Sequence, residues 1–341
     1  MFATETELES ELSRPGHDLV DDARTWDDRG LIVLGAGGKM GTGITMMARR
    51  ALDAAGRDST PVTAVSRWTN ETTRSSLASR GVNTVTADLK DLAAVKQLPD
   101  AGQVVFLVGA KFGTASRPDE AWMINTVLPS AVVRRYASAR ISALSTGNVY
   151  PLMEPRTGGA REDHPTAPVG EYAITCLGRE QVFTYGSRKH GAKVALIRLN
   201  YACEPRYGVL VDLAKAILDH QPVNLETGTV NVVWQRYAND VVLRSLAHAD
   251  APPFVLNLAG PETASVRTVA AELGRRLGVE PVFGGSELPT SLLSNAMLCH
   301  ELFGYPDRSL GQMFDMVTDW LQRGGRVWNK PTKFERRDGA F

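Results

Sequence analysis

The 341-residue sequence predicts an α/β fold, a doubly wound parallel sheet with a smaller, interleaved C-terminal substrate lobe. Three observations carry this. Short apolar runs alternate with helix-spaced segments over the first 200 residues, a glycine-rich turn joins the first run to the first helix, and the spacing turns irregular after residue 200. Strands that alternate with helices imply right-handed crossovers and a parallel sheet covered on both faces.

In order, "LIVLG" (31–35) is a buried strand, and "TGITMMARRALDAAG" (42–56) a helix with a glycine stop. Then come strand "PVTAVSR" (61–67), helix "TRSSLASRG" (73–81), strand "VNTVTADL" (82–89) and short helix "LAAVKQL" (92–98). Strand "QVVFLVGA" (103–110) precedes a long helix over 121–138. Strand "RISALSTGNVY" (140–150), a long helix over 172–191 and strand "AKVALIRLN" (192–200) complete six strands. Later, "PPFVLNLAGPE" reads as one more strand, and "VRTVAAELGRRLG" and "LGQMFDMVTDWLQRGG" as helices. Residues 1–28 form an acidic N-terminal extension in which Leu8 and Leu12 mark one short helix. Residues 29–200 form the dinucleotide-binding domain, its sheet completed by part of 228–260, and 201–341 mainly the substrate lobe.

Bulk composition excludes several classes. Lys plus Arg and Asp plus Glu both total 38, so no basic excess serves nucleic acid or an anionic membrane. No apolar run approaches the ~20 residues of a membrane helix. Acidic residues 5, 7, 9 and 11 do not make a secretory signal. Three cysteines and six histidines lack metal or disulfide spacing. The expectation is a cytoplasmic protein with no metal, no nucleic-acid partner and no membrane partner.

Gly35, Gly38 and Gly41 lie between strand one and helix one at GxxGxxG spacing, the Rossmann position. They allow a tight turn, close approach of a pyrophosphate and close packing of helix on strand. Lys39, Met40 and Gly41 open the helix and offer N–H groups to phosphates. Strand two ends in Ser66 and Arg67, where an acidic residue would mark NAD; this pair suits a 2′-phosphate, so NADP is preferred over NAD. Asp88 and Leu89, after strand three, are placed at the adenine edge.

With these stretches in order, residues from about 30 to 325 resemble the extended short-chain dehydrogenase/reductase family of sugar-nucleotide epimerases and dehydratases. The resemblance includes the three glycines, Asp88, Asn125, "STGNVYP" (145–151), Tyr172 with Glu180, "LIRLNYACEP" (196–205) and "RYANDVV". It implies NAD(P)-dependent hydride transfer at a hydroxyl or keto group of a sugar-like or polyol-like molecule, and a homodimer through the two long helices. Tyr172 would be the general acid/base and Thr146 would polarise the substrate oxygen, with Ser145 as its neighbouring alternative. Lys111, in "GAKFG", would reach the nicotinamide end of the cofactor. Asn200 matches an asparagine before the substrate loop. The family's arginine for a substrate diphosphate falls on Val233, leaving Arg206 and Arg236 out of register and Trp234 as an aromatic platform.

Cys176 departs from this pattern. The family places a lysine four residues after the tyrosine, one helical turn away, and its charge lowers the tyrosine pKa. A thiol, mostly neutral at pH 7, supplies no standing positive charge. Either another cation replaces the lysine, or Cys176 reacts as a thiolate, or the protein is a non-catalytic NAD(P)-binding sensor or scaffold. Lys111 is the nearer substitute by this reading, because Arg179 starts about 10 Å further along the helix.

Overall fold

The short apolar runs become seven parallel strands of one sheet. The computed structural model describes residues 1–340. Strands β1 (Leu31–Leu34), β2 (Val62–Ser66), β3 (Asn83–Thr86), β4 (Gln103–Phe106), β5 (Arg140–Thr146), β6 (Lys193–Leu199) and β7 (Phe254–Leu258) lie in the order 7-6-5-4-1-2-3. Every neighbouring pair is parallel, with α4 (Glu71–Ala78) between β2 and β3 and α5 (Leu92–Lys96) between β3 and β4. β1 and β4 are buried throughout, as strands covered on both faces must be. β3, at one edge, is the polar one.

Alternation along β1 divides the core. Leu31 and Val33 face one apolar cluster with Ile44 and Met47 of α3 (Gly41–Ala54). Ile32 and Leu34 face the other, with Val132 of α7 (Leu128–Arg135) and Phe183 of α8 (Gly170–His190).

Two features differ from the sequence reading. Residues 1–28 hold two helices, α1 (Glu5–Leu12) and α2 (His17–Arg24), with Leu8, Leu12, Leu19 and Ala23 buried in the first cluster. They pack on α3 and on α10 (Gln235–Arg244). The long helix expected at 121–138 is interrupted. α6 (Pro118–Trp122) passes into a π-helical turn at Met123–Val127 before α7, and the turn holds Asn125 buried. Such turns widen a helix locally and often occur beside functional sites.

The C-terminal lobe contains α9 (Val209–Leu218), α11 (Val266–Leu277), α12 (Met297–Phe303) and α13 (Leu310–Gln322), with three two-residue strand pairs. After α13 the tail, residues 326–340, returns across the lobe. The Trp328 N–H donates to the Arg206 carbonyl, and the Thr332 N–H and hydroxyl both donate to the Asp212 carboxylate of α9. Gly339 packs against the Val169–Gly170 backbone at the start of α8.

Candidate functional site

The glycine turn opens the site at the carboxyl end of β1. Gly35 has φ +92°, a left-handed value that side chains resist. A Cβ on Gly41 would lie 2.5 Å from the Ala36 carbonyl oxygen and 2.6 Å from that of Gly35, so helix and strand meet only because it is glycine. A Cβ on Gly38 would have only the Gly35 carbonyl, at 3.2 Å, near it, and Gly38 is exposed. No side chain caps the N-terminus of α3. A turn with an open face and uncapped helix N–H groups fits a dinucleotide's diphosphate.

From the turn a cleft of about 340 Å³ runs to the ends of β4, β5 and β6. Lys39, Lys111, Thr146, Tyr172, Arg179 and Asn200 are among the residues lining it.

Thr146 ends β5, and its Oγ1 accepts from the Asn148 backbone N–H at 3.2 Å and side-chain amide at 2.9 Å. Tyr172, in the first turn of α8, is hydrogen-bonded to Thr146 and to Cys176. Burial pushes the phenol well above the ordinary tyrosine range, and Cys176 adds to that; the Thr146 hydrogen bond and the Arg179 charge oppose it. The phenol is therefore set to hold its proton until a positive charge arrives.

Cys176 is fully buried among Val149, Tyr150 and Ala160 and does not line the cleft. Burial pushes its thiol up, which favours a neutral sulfur packed behind the tyrosine over a thiolate. Arg179, set aside on helical spacing, does reach the cleft. Helical side chains lean toward the N-terminus, and an arginine spans more than one turn. Its Nη1 donates to the Leu144 carbonyl at 2.6 Å and its Nη2 to Asn125 Oδ1 at 2.7 Å. Asn125 is held by the Ala110 backbone, accepting and donating at 2.9 Å, and by Thr175. The π-helical turn aims this asparagine, and Gly109 leaves room beside it, since a Cβ there would lie 3.0 Å from Arg179 Nη2.

Lys111 lies 5.9 Å from the Tyr172 ring centroid and donates to the Thr332 carbonyl of the tail at 3.0 Å. Burial pushes its amine down to about 8.

Several expected residues lie elsewhere or are already engaged. Ser145 donates to Glu180 Oε1 at 2.5 Å, and Glu180 pairs with Arg198 at 2.7 Å; that buried network also takes the Tyr150 hydroxyl. Glu180 is thus a structural anchor behind β5. Removing one member of a buried pair strands the other charge. Arg198→Met is expected to lower stability by about 3–5 kcal/mol in denaturant titration, and an unchanged midpoint would contradict this. Arg206 is neutralised by Glu204, Glu9 and Glu5, at 3.0, 3.1 and 3.5 Å. Arg236 binds Asp307 at 3.0 Å and the Arg14 carbonyl, away from the cleft. Trp234 is 1% exposed, a core residue rather than a platform. Tyr207, Phe112 and Thr332 line the cleft, although nothing in their sequence context marks them.

At the adenosine end, Ser66 sits against the glycine turn, its Oγ 2.5 Å from where a Gly37 Cβ would lie. Arg67 is exposed, and Trp68 turns back to donate to the Val85 carbonyl. Asp88 is exposed and caps its own turn through the Lys90 N–H, with Leu89 buried beside it.

Comparison with known proteins agrees with this geometry. The model of the NAD dependent epimerase/dehydratase family matches residues 31–259. No curated protein matches the sequence. Among solved structures, Pal from Bacillus thuringiensis superposes with a TM-score of 0.72 at 17% identity, over 86% of this chain and 99% of that one. UDP-glucose 4-epimerase from Thermotoga maritima gives 0.70 at 15% identity, over 86% and 99%. The dTDP-glucose 4,6-dehydratase of Streptomyces venezuelae, solved with NAD bound, gives 0.71 at 18%, over 86% and 97%. At such identities the likeness speaks for the fold.

Proposed function

Because the chain belongs to the NAD dependent epimerase/dehydratase family, we propose that it is an NAD(P)-dependent oxidoreductase or epimerase acting on a hydroxyl or keto group of a sugar-like or polyol-like small molecule. The observation that carries this reading is the grouping of Thr146, Tyr172 and Arg179 on one cleft that starts at the glycine turn.

The turn from Gly35 to Gly41, with the N–H groups of Lys39 and Met40, would hold the cofactor's diphosphate. Ser66 and Arg67, with no acidic residue at the end of β2, favour NADP over NAD. Asp88 and Leu89 would edge the adenine. When bound, the nicotinamide supplies two-electron chemistry at the substrate carbon. Thr146 Oγ1 already accepts two hydrogen bonds, so its own proton goes to the Tyr172 oxygen, and a substrate oxygen arriving between the two hydroxyls would take it over. Tyr172 gives or takes the hydroxyl proton. Arg179 supplies the standing positive charge that Cys176 does not, with Lys111 as a weaker, partly neutral contributor.

A competing reading, a sensor or scaffold that binds NAD(P) without turnover, draws on Cys176 and on the raised tyrosine. Equilibrium binding of both cofactors, followed by a substrate screen, is the direct test. NADP is expected to bind more tightly than NAD. Absence of binding by either at millimolar concentration would remove both readings.

A further inference from the structure

The mouth of the cleft carries more positive charge than proton transfer needs. Lys39 projects from the glycine turn toward the C-terminal lobe, its ammonium 3.4 Å from the Tyr207 ring centroid and 5.3 Å from that of Phe112. Lys111 and Lys333 approach the same Phe112 ring at 5.6 and 6.0 Å. Three ammonium groups, from the glycine turn, the loop after β4 and the tail, thus converge on one ring. Lys330 adds a fourth charge nearby.

The facing carboxylates are few. Asp212 accepts two hydrogen bonds from Thr332, at 2.7 and 2.6 Å, and Glu335 lies on the tail. Lys39 makes no salt bridge to a carboxylate among the described residues. Its amine is pushed down to about 7, first by burial and then by Lys111 and Lys330, with Asp212 opposing. Amines that are both desolvated and mutually repelling cost free energy until an anion arrives. The turn's backbone N–H groups would serve a cofactor's diphosphate, whereas the Lys39 side chain points across the cleft to Tyr207.

We propose that Lys39, Lys111 and Lys333, framed by Phe112 and Tyr207, bind an anionic group, a phosphate or a carboxylate, on the small-molecule substrate. The substrate is then a sugar phosphate or sugar acid rather than a neutral polyol. This refinement rests on the functional reading above for the word substrate, but the anion site itself does not.

The sign of its pH dependence follows. An anion binds the protonated amines and raises their pKa, so the protein takes up protons on binding near pH 8. Affinity falls as pH rises above 7, by up to about tenfold per unit for each proton taken up.

The test is calorimetric titration of inorganic phosphate, and of glucose 1-phosphate against glucose, into protein saturated with whichever of NADP⁺ and NAD⁺ binds more tightly, in two buffers of different ionisation enthalpy. The expected result is anion binding with proton uptake, at least about tenfold weaker at pH 8.5 than at 6.5. Lys39→Met should lose at least about tenfold in affinity, one pKa unit's worth of interaction, and Lys333→Met less. Thermal melts of both variants report that they are folded. If the bound cofactor abolishes phosphate binding, the amines serve its diphosphate and the proposal falls. It falls equally if phosphate does not bind, or binds Lys39→Met unchanged. If neither NADP⁺ nor NAD⁺ binds, the functional reading fails separately. The apoprotein isotherm then decides the anion site: binding lost in Lys39→Met upholds it, and no binding overturns it.

Discussion

Tyr172→Phe is expected to lower kcat by about 10²–10⁴-fold, the usual worth of a positioned general acid/base, with cofactor affinity unchanged. The substitution removes one oxygen and keeps the ring that faces Lys111. What is lost is the hydroxyl tied to Thr146 and Cys176. In the parent, burial holds the phenol up, so the rate of alcohol oxidation, which needs the ionised form, should still climb with pH above 8. The Phe variant should be flat over that range. Retained turnover would strip Tyr172 of its role. A parent without turnover, beside unchanged cofactor binding in both proteins, would favour the sensor reading.

Arg179→Met is expected to reduce turnover by about 10–10³-fold, because a neighbouring cation is worth 1–3 pKa units to an ionising group. The pH–rate limb should move to higher pH. A purely structural role would lower stability but leave that limb in place. The matching exchange is Cys176→Lys. Alone, it would bury a second cation beside Arg179, while the nearest carboxylate, Glu180, is committed to Arg198 and Ser145. That should destabilise the protein by about 3–5 kcal/mol, the cost of an uncompensated buried charge. Combined with Arg179→Ala, the lysine gains room and should recover part of the lost rate. A double variant as poor as Arg179→Ala alone would show that the two positions do not exchange the charge.

The sheet was legible because its strands are short apolar runs with helix-spaced segments between them, and this pattern depends on local sequence alone. The glycine turn, Thr146 and Tyr172 were legible for the same reason, each fixed by its place at a strand or helix end. Arg179 was not. Helical spacing gives the distance between backbones, and a long side chain that leans one turn back defeats that measure. The π-helical turn was hidden because Asn125 sits in an otherwise regular helical pattern. Arg236 and Trp234 looked available because their surroundings, Asp307 and a buried core, are distant in sequence, and Arg206 because Glu5 and Glu9 join its local partner Glu204 only in the fold. Lys39 and Tyr207 meet although they lie 168 positions apart, which no local motif records.

The packing of α1 and α2 has a further consequence. In many doubly wound sheets the first crossover helix has one wall against solvent. Here α3 lies between the sheet on one side and α1, α2 and α10 on the other, with residues from Gly41 to Leu52 buried round most of its circumference. The turn at its head is therefore anchored at both ends, by buried Ala36 and Gly41, while its open face stays exposed. Part of the entropy of ordering that turn is then spent when the chain folds and not when a ligand arrives, which leaves more of a ligand's contacts for affinity. The acidic leading segment lines no part of the cleft, and its expected effect on binding runs through the rigidity of α3.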